Sequence, residues 1–322
     1  MKSVAKNIES RFLGLLLDMA RHPIQDMKLV CHAVKYRMVK RNLTKAILAT
    51  LSDEMRAKYA DEISFFCNAS RIEPIPYQKR PDAIAEKSYL GSYDKDVRLP
   101  FVVHDGKRLY FPRTESLYGA VRSYRYFLEE EGLLGHGLRL KSPHSYITEA
   151  HHVEPGDTVI DIGCAEALFA LHYAETASHI YLYESLPCWR EPLACSFRPF
   201  IGKTTIFEKL VGGGGGQTVK LSDTIEIASD IPCFVKMDVE GYEKDVLCGS
   251  KDFFLSHKVK LSCYTYHRQE DAENISSLLR EWGYKVSFSD GYMICLMNGL
   301  HPPYFRKGMI YAKNFCCHFC RR

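Results

Sequence analysis

The stretch from Asp157 to Glu184, DTVIDIGCAEALFALHYAETASHIYLYE, constrains the fold of this chain more than any other. It opens with an alternating β-prone run over 158–162, turns at Gly163 and continues as a helix, with Leu168, Phe169, Leu171 and His172 on one face. A second β-prone run over 179–183 closes it. A strand, tight turn, helix and strand in that order make half of a doubly wound sheet. Such sheets bind ligands beyond the carboxyl ends of their strands, where the first turn exposes backbone N–H groups at a helix start. Glu184 lies about 20 residues past the turn, where an acid can accept hydrogen bonds from ribose hydroxyls. The unit reads as a nucleoside-binding half.

The turn also discriminates between nucleosides. A dinucleotide fold places G-x-G-x-x-G here so that backbone can approach a pyrophosphate. This chain has Asp161, Gly163, Ala165 and Ala167. A carboxylate repels a pyrophosphate and attracts an ammonium. S-adenosylmethionine, with an ammonium, a sulfonium and a ribose but no phosphate, fits better than NAD. The expected cofactor-binding residues are Asp161, Gly163, Cys164, Ala165, Glu166, Glu184 and Ser185.

Upstream, residues 3–68 read as helices, with Ile8, Phe12, Leu15 and Met19 at spacings of three and four and a break at His22-Pro23. A second helix carries Met27 to Met38, and a third follows Ser52, which caps it with Asp53 and Glu54 in the first turn. Residues 1–60 hold twelve Lys and Arg against five Asp and Glu, a net of +7 in a chain whose total is +4. Basic helices of this kind are either the solvated face of a bundle or a weak contact for anionic lipid. The total charge gives no reason to expect nucleic acid as a partner. Residues 71–90 read as a Pro-rich connector. LPFVVHDGKRLYFPR then signals a hairpin turning at Asp105-Gly106, before a helix over 114–134 with a stripe of Leu117, Val121, Tyr124 and Leu128.

Downstream, a helix is predicted over 189–197 and a strand over 204–210, followed by five glycines, 212–216, which read as a mobile loop near the rim of the sheet. The apolar run 233–239 reads as a central strand covered on both faces. A helix over 243–256, a strand over 259–266, a helix over 271–282 stopping at Gly283, and strands over 284–289 and 292–297 follow. Asp290-Gly291 should join the last two as an antiparallel hairpin.

These residues resemble the FkbM-type S-adenosylmethionine-dependent methyltransferases over roughly 142–312. The carriers are VIDIGCAEALFAL, IYLYE, KLSDTIE, FVKMDVEGYEKDVLCGS, CYTYH and GYKVSFSDGYM. The resemblance implies an α/β fold of the class I methyltransferase, Rossmann-like type: a seven-stranded sheet whose last strand is antiparallel. It also implies O-methylation of a sugar, glycan or other small hydroxyl compound. The family turn ends in glycine where this chain has Ala167. The expected organisation is an N-terminal helical region (1–70), a connector with the β-hairpin and a helix (71–141), a catalytic domain (142–312) and a tail (313–322).

Strand ends place Asp161, Glu184, Asp238, Glu240 and His267 on one edge of the sheet. Methyl transfer to oxygen needs an acceptor held in line and one proton removed. His267, whose ordinary pKa lies near neutrality, is the candidate base; Asp238 and Glu240 orient the acceptor or replace it in that role. Oxygen ligands suit magnesium, but no third ligand is recognisable from spacing, so no metal is expected. His144 either closes over the cofactor or serves a turn. Cys316, Cys317, His318 and Cys320 lack a second knuckle and read as a frayed tail. Twelve scattered cysteines and no signal-like cleavage site point to a reducing cytoplasm. Two rivals stand beside the enzyme: a catalytically silent protein that uses the cofactor fold for binding or assembly, and an NAD-dependent oxidoreductase.

Overall fold

The computed structural model describes residues 26–69, 91–130, 142–216, 218–295 and 304–315. The expectations for residues 1–25, the connector 71–90 and the tail 316–322 lie outside them. The chain divides into two compact units, one made of 1–76 with 294–305 and the other of 77–293 with 306–322.

In the first unit, α1 (Asp26–Thr50), α2 (Asp53–Lys58) and α3 (Ala60–Asn68) follow one another. Ser52 caps α2 as its sequence predicts, its hydroxyl accepting the Met55 N–H at 3.2 Å, with Asp53 and Glu54 in the first turn. Leu43, Ile47, Leu51, Tyr59 and Phe66 are buried. The returning segment supplies Phe305, stacked on Tyr59 at 4.6 Å, and Tyr304, whose hydroxyl is 3.0 Å from that of Thr50. Among the described residues, no helix is long and apolar enough to cross a membrane.

The second unit begins with an antiparallel sheet of β1 (Ser92–Asp94), β2 (Leu99–His104) and β3 (Lys107–Tyr110). His104 pairs with Lys107 across the turn, and Asp105 and Gly106 both have positive φ, 48° and 79°. That is the two-residue turn whose twist suits a hairpin, read correctly from Asp-Gly. Helix α4 (Leu117–Glu130) buries Ala120, Tyr124 and Leu128, while Leu117 stays exposed.

The main sheet contains β4 (Thr158–Ile162), β5 (His179–Tyr183), β6 (Thr204–Phe207), β7 (Cys233–Met237), β8 (Val259–Tyr264), β9 (Lys285–Phe288) and β10 (Met309–Lys313). Their spatial order is β9-β10-β8-β7-β4-β5-β6. Neighbours from β8 to β6 run parallel, and β10 is antiparallel to both β8 and β9. Every residue of β4 and β7 is buried. Alternation along β4 sends Val159 into one core, with Phe169 and Phe234, and Ile160 and Ile162 into the other, with Val246 and Phe253.

Three expectations change. The antiparallel strand is 309–313 rather than 292–297: Phe288 pairs with Ile310, and residues from 294 to 305 leave for the first unit. Asp-Gly at 290–291 therefore turns the chain without closing a hairpin onto the main sheet. After α5 (Leu168–His172) and α6 (Arg190–Ser196), the helix expected over 243–256 divides at Ser250 into α7 (Glu243–Gly249) and α8 (Lys251–Ser256). The glycine run lies away from the rim, between short paired segments at 210–211 and 218–219. Gly212 and Gly213 pack on Gly249, at the far end of α7, so closely that a Cβ there would sit 2.4 Å from their backbone.

Candidate active site

The site forms where β4, β5, β7 and β8 end. After β4, the chain turns back over Asp238. Gly163 has φ 72°, and a Cβ on it would fall 1.8 Å from the Asp238 carbonyl oxygen, so glycine is required here both by conformation and by space. Ala165 and Ala167 also adopt left-handed backbone, with φ 44° and 58°. Ala167 sits just before α5 (Leu168–His172), and its left-handed backbone stores strain at a position that suits glycine.

The N–H groups of this turn are used internally. Those of Gly163 and Cys164 donate to the Tyr183 carbonyl at 2.9 and 3.2 Å, that of Ala167 to the Cys164 carbonyl at 2.6 Å, and that of Ala165 to Glu184 Oε2 at 3.0 Å. The open N–H cradle expected of the turn is therefore absent among these residues. Glu184, half-buried, also accepts the Leu186 N–H at 2.7 Å on Oε1, so each carboxylate oxygen keeps a lone pair for a further donor. Ser185 is exposed beside it.

Asp161 is placed differently from its expected role. Its side chain has no exposure, and its cation is internal: Lys236 Nζ lies 3.0 Å from Oδ1, donates to the Gly163 carbonyl at 3.0 Å and sits over the Tyr146 ring. Asp161 thus braces the turn from beneath, through Lys236. Burial pushes its pKa up, with Lys236 opposing. Glu166 is buried too. Its carboxyl is pushed up to about 7 by burial, opposed first by its own N–H, then by Lys236 and last by the Leu168 N–H. Cys164 is a buried thiol raised well above its ordinary pKa by burial, which makes it inert.

Across the edge, His267 ends the segment after β8 and is buried. Its Nδ1 is 2.8 Å from Glu243 Oε1, while Nε2 faces Asp238 Oδ1 at 3.7 Å and Glu240 Oε2 at 3.6 Å. Glu243, the first residue of α7, has no exposed side chain; its Oε1 also accepts the N–H groups of Val239 at 3.2 Å and Gly241 at 3.3 Å. Glu240 is strained, with φ 54°, and Gly241 has φ 96°. This left-handed turn lets the chain wrap round the Glu243 carboxylate. Burial alone would lower the His267 pKa, but Glu243, then Asp238 and Glu240, bring it above its usual value. Asp238 is pushed up to about 6 by burial, opposed by Lys236 and His267. Its Oδ2 accepts the Tyr146 hydroxyl at 3.4 Å, and its Oδ1 is buried without a hydrogen-bond partner among the described residues.

Glu243 was missed by the sequence reading because an acid in the first turn of a helix looks like ordinary dipole compensation. A signal was present in the E-G-x-E spacing, which lets the chain fold back onto the second acid. His144 packs in a ring cluster with Tyr264 and Tyr266, its Nδ1 2.7 Å from the Tyr264 hydroxyl and its Nε2 3.3 Å from that of Tyr266. The ligand atoms of Asp238, Glu240 and His267 lie close enough together to meet one ion, a convergence not expected from spacing alone.

A seven-stranded sheet in this order, with its last strand reversed and an acid ending the second strand, defines a class I methyltransferase fold. Residues 203–286 match the family model described as "Methyltransferase FkbM domain", a span that includes β7, Glu243 and His267, and the resemblance is borne out there. In structure the chain is similar to methyltransferase FkbM from Methylobacillus flagellatus KT, at 19% identity over 50% of this chain and 44% of that chain, with a TM-score of 0.40. It is also similar to precorrin-6y C5,15-methyltransferase from Geobacter metallireducens GS-15, at 12% identity over 52% and 82% of the two chains, TM-score 0.35. An rRNA methylase from Streptococcus thermophilus matches at 8% identity over 51% and 90%, TM-score 0.31. The match thus spans less than half the length of the FkbM protein. No curated protein matches the chain.

Proposed function

We propose that this chain is an S-adenosylmethionine-dependent methyltransferase that methylates a hydroxyl oxygen of a sugar, glycan or other small molecule. The observation that carries this reading is the His267 clamp: a buried Glu243 fixes Nδ1 and leaves Nε2 facing Asp238 and Glu240 at the ligand-binding edge of the sheet. The cofactor fits the residues present. A turn whose N–H groups are spent internally offers nothing to a pyrophosphate, which disfavours NAD. Glu184 keeps acceptor capacity for ribose hydroxyls, and the orphaned Asp238 Oδ1 suits an ammonium or an acceptor hydroxyl.

The cofactor supplies an electrophilic methyl group on a sulfonium. The protein has two tasks besides holding it. Asp238 and Glu240 orient the acceptor hydroxyl, and His267 Nε2 takes its proton as the oxygen becomes nucleophilic. The resulting imidazolium is stabilised by Glu243 through Nδ1–H, an ion pair shielded from water and therefore strong. Asp161 and Lys236 act on the cofactor indirectly, by fixing the turn.

Calorimetry with S-adenosylmethionine, S-adenosylhomocysteine and NAD tests the cofactor; binding of NAD alone, or of none, refutes the reading. Transfer of labelled methyl groups to a panel of glycans and small hydroxyl compounds tests the reaction. The strained Ala165 and Ala167 favour a second reading, a silent cofactor-fold protein for binding or assembly. It predicts cofactor binding with no transfer to any acceptor.

A further inference from the structure

A second cluster lies outside the candidate active site. It joins the β2–β3 hairpin to the end of α5, through His104, Asp105 and His172. His104 Nε2 is 3.0 Å from His172 Nδ1 and 3.4 Å from Asp105 Oδ2, and His172 Nδ1 is 3.2 Å from the same oxygen. We propose that these three side chains form a binding site for a divalent transition metal, zinc foremost.

The geometry fits that ion closely. Zinc binds imidazole nitrogen and carboxylate oxygen with bonds of about 2.0–2.1 Å in a tetrahedron, whose corners are then roughly 3.3 Å apart. The three atoms already form a triangle with sides of 3.0 to 3.4 Å. The donor set excludes magnesium and calcium, which take oxygen, and suits borderline metals.

Each ligand is aimed by its surroundings. His104 is 2% exposed, and its Nδ1 is 2.9 Å from the buried Tyr124 hydroxyl, an outer partner of the kind that fixes ring orientation in metal-bound histidines. Asp105 is the left-handed first residue of the hairpin turn, which directs its carboxylate back over the strand. His172 is the last residue of α5. Asp105 is 59% exposed and His172 28%, which gives an ion an entry path and leaves a fourth position for water. A bound ion would cross-link the hairpin to the helix that follows the cofactor turn.

The same three atoms could instead share a proton in a metal-free hydrogen-bonded trio, and metal titration separates the two. The full chain, stripped with a chelator, is titrated with zinc against a chromophoric chelator and with cobalt(II) by visible absorption. His172→Gln and Asp105→Asn are the variants, the latter chosen because asparagine also suits the turn; His267→Asn is a control for the cluster around Asp238. The expected result is one tight site with a tetrahedral cobalt spectrum in the parent and in His267→Asn, weakened at least tenfold in the other two. Zinc should also raise the melting temperature of the parent and not that of His172→Gln. Failure of the parent to bind, equal binding by all four proteins, or loss only in His267→Asn would each overturn the proposal.

Discussion

Replacing Glu243 by glutamine tests the site without needing to know the acceptor. The substitution keeps the shape of the side chain and an oxygen for the Val239 and Gly241 N–H groups, and removes the charge 2.8 Å from His267 Nδ1. Burial then acts on the imidazole with its chief counterweight gone, so its pKa must fall from above the ordinary value toward or below it. A hydrogen bond to a charged group is worth about 1.5–3 kcal/mol, or roughly 10- to 150-fold in rate if it acts in the transition state. The sign for stability follows from linkage. A histidine raised in the folded chain stabilises it fully below the unfolded value near 6.5, and that stabilisation is lost as pH rises through the raised value. Glu243→Gln should remove this dependence. The assay is NMR titration of the His267 ring, followed by pH-rate profiles once an acceptor is found. In the variant the acid limb should move to lower pH. A His267 that titrates at or above its parental value in Glu243→Gln would refute the reasoning.

His267→Ala should lower kcat by roughly 10²- to 10⁴-fold with little change in cofactor affinity, checked by kinetics beside calorimetry; near-parental turnover would pass the role to Asp238 or Glu240. Glu184→Ala should cost about 1.5–3 kcal/mol of S-adenosylmethionine binding, and unchanged affinity by calorimetry would remove Glu184 from the site. Ala167→Gly relieves a left-handed alanine and should stabilise the chain by about 0.5–1 kcal/mol in urea unfolding, the strain released less the extra entropy of glycine; a loss of stability would show that the methyl group packs usefully. Lys236→Met strands the unexposed Asp161 without its cation and should cost about 3–5 kcal/mol in the same assay; a variant as stable as the parent would mean that Asp161 is already neutral.

The fold was legible where local and global signals agree. Apolar runs such as 233–237 are buried on both faces, Asp105-Gly106 forms its hairpin, and Gly283, at φ 83°, ends the helix before it. Where the chain makes a long excursion, local signals mislead. Asp290-Gly291 looks like a hairpin turn, but the partner strand begins at Met309, and no local pattern shows that 294–305 belongs to another unit. The glycines at 212–216 follow a strand, which points to the rim, and only packing on Gly249 reveals their true position. The site was legible as a set of strand ends and opaque as a network. Asp161 and Glu184 are both acids at strand ends, yet one is sealed against Lys236 and the other is half-exposed. Burial decides their roles, and burial is not local.

The acids around His267 illustrate the same point and assign the roles. Glu243 stays below the ordinary carboxylate value: burial would raise it, but His267 and the Gly241 N–H overcome that cost. Asp238, whose side chain is 27% exposed where that of Glu243 is sealed, has only a weak Tyr146 contact and, like Glu243, one orphaned oxygen, and rises to about 6. Two neighbouring carboxylates driven in opposite directions cannot serve the same purpose. Glu243 is held toward its anion by the imidazole and its side chain is unexposed, so it does not meet an acceptor. Asp238 has no comparable committed partner, so a new donor at its free oxygen would stabilise its anion. That makes Asp238 the positioning group and His267, with its charge already compensated, the group able to hold a proton. His267, raised above its ordinary value, is protonated first as pH falls, and Asp238 follows through about 6, so proton removal should be lost before orientation and the acid limb should show two steps.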